Sequence, residues 1–206
     1  MNKKRTVGIL IFKDAEVLDF AGPFEVFSVT SELNNFEPFE VFTVSESLDP
    51  VAAINGFSVN PTHDFYTCPD LDILIIAGGF GARQIKHNQK VLDWVTKVHQ
   101  QTEFTLSICS GSLILGSLGL LKSKPYCTHH QVYPLMEEIV PLGLPQKEKR
   151  FVNAGKIYTS GGISAGIDLA FHIVEKLLGK EIAKNTAEYM EYHRNSYALE
   201  DGNKEF

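Results

Sequence analysis

The sequence predicts an α/β fold with a mostly parallel sheet covered by helices on both faces. Three observations carry this. Short, almost wholly apolar segments at residues 6–12, 72–77 and 104–108 read as strands buried on both faces. Segments with helical apolar spacing alternate with them. Glycine pairs at 78–79 and 161–162 end two strands abruptly.

The elements follow in order. TVGILIF, residues 6–12, is the first strand. Gly22-Pro23 marks the start of a helix, because proline is tolerated in a first turn, and Phe24, Phe27 and Leu33 give that helix an apolar side. FEVFTV, 39–44, alternates like a strand, and 56–59 is a small hairpin or edge piece. DILIIA, 72–77, is the second buried strand. Residues 91–98 have apolar side chains at 91, 92, 94, 95 and 98, a helical spacing. Residues 104–108 form the third buried strand, and 112–121 a buried helix using Gly116 and Gly119. A further strand covers 156–160. Residues 163–178 form an amphipathic helix capped by Gly179, and 182–193 another helix. A polar tail runs from about residue 197 and frays from Asp201. With no repeat, low-complexity run or long linker, residues 1–206 read as one domain.

Composition narrows the function. A hydrophobic fraction of 44% with 21% charged residues is that of a soluble globular chain. The net charge of −6, with no basic block, argues against nucleic acid or an anionic membrane as partner. The apolar run after MNKKR is too short for a signal segment or a membrane span, so the expected location is cytoplasmic. Three cysteines, at 68, 109 and 127, form no CxxC pair and suggest neither a disulfide framework nor a zinc ribbon. Cys68 and Cys127 read as packing residues.

Cys109 is different. It sits at the seam between an apolar strand and the next helix, in Ser107-Ile108-Cys109-Ser110-Gly111. Small residues two places before and after it are the steric pattern of a nucleophile elbow, a sharp strand-to-helix turn that pushes the central side chain outward; the alternative is a buried structural cysteine. The first N–H groups of the following helix are expected to lower the thiol's proton affinity. In an open parallel sheet the ligand site lies at the carboxyl ends of the strands. Asp19 follows the first strand, and Gly78-Gly79 follow the second. Asp19, between Leu18 and Phe20, is either a helix cap or a catalytic acid, and Glu25, one turn inside the helix, is either a second buried acid or a first-turn dipole partner. The Gly78–Gly81 stretch lacks nucleotide-loop spacing. It reads as either a plain tight turn or backbone amides that join the N–H of Ser110 in an oxyanion hole. His129 and His130 are adjacent, and no partner has metal-ligand spacing, so no metal is expected.

AEVLDFAGPFEVF, AGGFGA, SICSGSLILGSLGLLKSKPYCTHH and YTSGGISAGIDLAFHIVEKLLG, in that order, resemble the ThiJ/PfpI superfamily, a class I glutamine amidotransferase-like module, from Val7 to about Tyr192. LDFAGPFEV and CSG are most similar to its isonitrile hydratase branch, and the same module serves as a ligand-sensing part of some AraC-type regulators. The resemblance implies a flavodoxin-like three-layer sandwich, a homodimer, and a cysteine on a strained elbow. It implies Cys109 as nucleophile, Asp19 as its hydrogen-bonded acid, Gly79 and Ser110 as backbone amides around the pocket, and His129 as a pocket-lining residue. The implied reaction adds water to a small isonitrile without cofactor or metal. Glyoxalase or deglycase chemistry on aldehydes, or redox or ligand sensing through Cys109, are its alternatives. Ser110 departs from the pattern in two ways. The protease-like members carry histidine after the cysteine, where this chain has Ser110, which argues against peptidase chemistry. The hydratases carry threonine there, and a serine lacking that methyl is expected to rotate more freely.

Overall fold

The computed structural model describes residues 3–193. Its main sheet has seven strands: β1 (Arg5–Leu10), β2 (Phe39–Ser45), β3 (His63–Asp64), β4 (Ile73–Ile76), β5 (Phe104–Ser107), β6 (Phe151–Ala154) and β7 (Ile157–Ser160). Their spatial order is β6-β7-β5-β4-β1-β2-β3, and every pairing is parallel except β6 with β7. The helices are α1 (Val17–Leu33), α2 (Ala82–Ile85), α3 (Gln89–Gln101), α4 (Ser112–Ser117), α5 (Tyr133–Ile139), α6 (Ala165–Leu178) and α7 (Lys180–Tyr189). The chain steps one way across the sheet from β1 to β2 and the other way from β4 to β5. Right-handed crossovers then put α1 and α3 on opposite faces, giving three layers. Helices α1, α6 and α7 pack on one another.

The sheet follows from its residues. Val7, Ile9, Ile73, Leu74, Ile75 and Ile76 are all fully buried, so β1 and β4 face helices on both sides and need continuous apolar sequence. The segment around residue 56 is a hairpin, Val51–Ala52 against Ser58–Val59. The expected tail from residue 197 lies outside the described residues.

Several elements differ from expectation, among them the last helix, which runs over Lys180–Tyr189 and not 182–193. Helix α1 begins at Val17, five residues before Gly22, and holds Pro23 inside it. It packs on β2, α6 and α7, so it is apolar nearly all round and offers no clear stripe to locate its start. Asp19 is therefore in the helix's first turn; the cap position is Glu16, whose side chain makes no capping bond. Helix α4 is six residues long, preceded by a 3₁₀ turn over Cys109–Gly111. Helix α6 starts at Ala165 because Ile163, at φ 50°, lies outside it. Strand β6 escaped notice because FVNA is an antiparallel edge strand with two half-buried positions and an exposed polar Asn153 in four residues.

The elbow imposes a strict limit at Gly111. A Cβ there would lie 2.4 Å from the Ile76 carbonyl oxygen and 2.8 Å from that of Ala77, both backbone atoms of the neighbouring strand end. Gly111→Ala is expected to cost about 1–3 kcal/mol of stability through overpacking. Denaturant unfolding checks this, and an unchanged midpoint would contradict it.

Candidate active site

The sheet reverses its direction of growth between β1 and β4, and the candidate site lies just beyond the carboxyl ends of these strands and β5. Cys109 leaves β5 with φ 55°, a left-handed conformation rare for a residue with a side chain. The turn is pinned on all sides. The Cys109 N–H donates to the Gly161 carbonyl at 3.1 Å. Its carbonyl accepts from Thr128 Oγ1 at 3.0 Å and Ser112 Oγ at 3.3 Å, and Ser112 also donates to Thr128 at 2.8 Å. The thiol is buried, with 6% of the residue exposed.

Asp19 reaches the same spot from α1 and is fully buried. Its Oδ2 accepts the Gly78 N–H at 3.0 Å. Its Oδ1 is buried without a hydrogen bond of ordinary geometry. A Cβ on Gly78 would fall 2.6 Å from Ser110 N, 2.7 Å from Asp19 Oδ2 and 2.8 Å from Cys109 Cβ. Acid, thiol and amide therefore converge on one point that only glycine leaves open.

The electrostatics run against one expectation. Burial raises the Asp19 carboxyl from 3.8 to about 7, opposed by the Cys109 thiol and the Gly78 N–H, and reinforced by the Glu16 charge. Burial, then the neighbouring Asp19 charge, push the thiol up to about 12, with the Ser110 and Ile163 N–H groups pulling the other way. The anticipated helix-dipole activation does not prevail. The helix after the elbow is short, and desolvation beside a carboxylate outweighs it. The raised thiol favours its protonated form, and the Asp19 carboxyl is the titratable group beside it.

The remaining predicted residues divide. Ser110 stands beside Gly79. Its Oγ accepts the Gly79 N–H at 2.9 Å and donates to the Gly79 carbonyl at 2.8 Å. The serine hydroxyl is thus held at both ends, contrary to the freedom expected of it, and the Gly79 N–H is closed on that hydroxyl. The Ser110 N–H is one of two amides that act on the sulfur. The His129 ring packs against Gly162, where a Cβ would come within 2.3 Å of it, and its Nδ1 accepts the Gln131 N–H. It borders the turn that receives the Cys109 N–H and makes no recorded bond to the thiol. Burial, His130 and Arg83 lower its proton affinity. Glu25 is exposed and stands apart.

Sequence reasoning missed Ile163. Its left-handed backbone follows Gly161-Gly162, and its N–H favours the charged form of both Asp19 and Cys109. Strain in a β-branched residue beside a strained cysteine marks a turn held in place by its surroundings. The glycine pair was the available signal. Leu18, Phe80 and Ile163 are exposed apolar side chains on the segments around the pair. The cleft behind Gly161-Gly162, about 240 Å³, is lined instead by polar residues including Thr128, His130 and Lys149, and Cys109 is not in its wall. Cys127 is buried, its thiol donating to the Gln146 and Lys149 carbonyls, as a packing residue would be. Among the described residues no group of three or more His, Cys, Asp or Glu is placed to hold a metal ion. None of the described helices is long and apolar enough to cross a membrane.

Known proteins share this arrangement of chain. The chain is 32% identical over 186 residues to an isonitrile hydratase of Pseudomonas putida, covering 90% of this chain and 78% of that one. A ThiJ/PfpI family protein from Pseudomonas syringae superposes with a TM-score of 0.83 at 28% identity, over 93% of this chain and 76% of that one. The HTH-type transcriptional regulator GbdR of Pseudomonas aeruginosa is 23% identical across 92% of this chain, which spans only 51% of the regulator. Residues 5–176 match the DJ-1/PfpI family, and with a parallel three-layer fold carrying Cys109 just past a strand end, the chain belongs to that family.

Proposed function

We propose that the protein is a hydro-lyase that adds water to an isonitrile, R–N≡C, giving the N-substituted formamide. The buried Asp19–Cys109 pair carries this reading, and the 32% identity to an isonitrile hydratase supports it. Asp19 takes the thiol proton as sulfur bonds to the terminal isonitrile carbon, and returns it to that carbon, leaving a thioimidate, R–N=CH–S–Cys109. Water then adds to the same carbon, giving a proton to Asp19, which passes it to nitrogen. The carbon–sulfur bond breaks as the hydroxyl proton leaves, so formamide departs and the thiol is restored. One isonitrile and one water give one formamide, with no electron transferred. The Ser110 and Ile163 N–H groups hold negative charge on sulfur during the exchange.

The test is formamide production from p-nitrophenyl isocyanide. Turnover supports the reading. No turnover by folded protein whose Cys109 still reacts with a thiol probe would discard it in favour of aldehyde chemistry or of sensing through oxidation of Cys109. The same proposal includes a homodimer. Helix α1 from Gly22 to Ser31 is mostly buried within the chain, so its free contributions to a dimer face are Leu18, Glu25, Glu32 and Leu33. Light scattering is expected to give twice the chain mass of 23.0 kDa, and a monomer would contradict the proposal.

A further inference from the structure

Behind the strained Ile163 turn lies a buried charge that the chemistry above does not use. Asp168, in the first turn of α6, is 2% exposed. Its Oδ2 accepts from Arg150 Nε at 2.5 Å, and its Oδ1 from the Tyr192 hydroxyl at 2.9 Å. Arg150 Nη2 donates to Ser164 Oγ at 3.2 Å. Ser164 occupies the cap position of α6, yet its side chain makes no capping bond. The Arg150 carbonyl also accepts the Gly161 N–H at 2.8 Å, and the Gly161 carbonyl in turn accepts the Cys109 N–H.

Arg150 therefore grips both ends of the Gly161–Ser164 turn, one end through its backbone and the other through its guanidinium. Gly166, the next residue but one, leaves no room to move, since a Cβ there would stand 2.7 Å from Ile108. Only the Asp168 side of this ion pair is buried, and the pair is weak evidence of a contribution to stability, because desolvating a charge offsets its attraction to the partner. Fixing a conformation is the better account of such a pair where it borders a residue at φ 50°.

We propose that Arg150, through Asp168 and Ser164, is a positioning residue that holds the Gly161–Ser164 turn so that the Ile163 N–H stays on the Cys109–Asp19 pair. Its role in turnover rests on the hydratase reading; its role at the pair does not. Charged groups acting on the pair are Asp19, Cys109 and Glu16, and the bonds of Arg150 go to Asp168, Ser164 and the Gly161 N–H, so its route to the pair is through the turn.

Arg150→Lys keeps a cation for Asp168 but cannot reproduce the fork that also reaches Ser164. Ser164→Ala removes only the turn contact and leaves the ion pair whole. Lys149→Gln, which removes an adjacent positive charge without touching the turn, is the control. Two readouts need no substrate: the Asp19 carboxyl midpoint by carbon-13 NMR, and the Cys109 alkylation rate with iodoacetamide at pH 7.5. Arg150→Lys and Ser164→Ala are expected to raise the midpoint by about half to one pH unit, because an N–H that favours the charged form is lost. Alkylation is expected to slow about 3- to 10-fold, since each pH unit of proton affinity is a factor of ten. The control is expected to match wild type. If the protein makes formamide, kcat falls about 10- to 100-fold with KM little changed. A wild-type midpoint and alkylation rate in folded Ser164→Ala would overturn the proposal even if Arg150→Lys fails to fold. So would an equal shift in Lys149→Gln. Absence of formamide from wild type would strike the hydratase reading alone.

Discussion

Cys109→Ala is expected to bring formamide production from p-nitrophenyl isocyanide down to the uncatalysed rate, a loss on the order of 10⁵-fold or more. In the proposed mechanism the Cys109 sulfur is the one atom for which the site holds no substitute. The elbow also holds this variant in the native conformation. Alanine at φ 55° carries the same Cβ as cysteine, so the left-handed strain is unchanged, and the Cys109 N–H and carbonyl keep their partners Gly161, Thr128 and Ser112. The thermal midpoint is therefore expected to stay close to wild type. Cys109→Ser tests the same point more finely. It preserves a proton for Asp19 to take, but offers an oxygen that resists ionisation more than a thiol does. It is expected to be as inactive as alanine. Turnover by Cys109→Ala within tenfold of wild type would remove the covalent mechanism.

The elbow was legible because its constraint is local. A turn that sharp excludes bulk at 107 and 111, and a reader of the sequence sees Ser107 and Gly111 without knowing what surrounds them. The buried strands were legible for a similar reason, since burial on both faces removes polar residues from a short window. The proton affinity of the thiol was not legible. It depends on how thoroughly the site is desolvated and on a carboxylate ninety positions earlier in the chain, and neither enters a local pattern. The helix dipole, which is a local feature, suggested the wrong direction. Ser110 is a similar case. Its side-chain type implied a freely turning hydroxyl, but Gly79, thirty-one residues away, supplies both a donor and an acceptor. The start of α1 was hidden because a helix covered on most sides carries no stripe. The Arg150–Asp168 pair was hidden because ionic partners eighteen residues apart, on different elements, leave no spacing to notice.

Asp19→Asn is the sharper test of the chemistry, because activity and stability are expected to move in opposite directions. Asparagine is nearly isosteric, and its side-chain oxygen still accepts the Gly78 N–H that Oδ2 accepts now. Its amide cannot take the thiol proton or give one back, so kcat is expected to fall about 10²- to 10⁴-fold. In wild type, kcat/KM is expected to rise as pH increases through about 7, where the buried carboxyl ionises and becomes able to accept that proton. The pair titrates as a unit, so the midpoint belongs to both groups. In Asp19→Asn that rise disappears. Stability follows from the same displacement. The folded carboxyl sits at about 7 and an ordinary aspartate at 3.8, so between those values the folded protein holds a proton the unfolded chain has released. Stability that is fully present below 3.8 is lost as pH climbs toward 7, by on the order of 4 kcal/mol at most. The asparagine variant carries no such charge to bury. It is expected to be more stable than wild type at pH 8, with the difference shrinking toward pH 4. Urea unfolding at both pH values measures this. A variant that keeps its activity, or that is less stable than wild type at pH 8, would show that Asp19 is not the buried acid of this site.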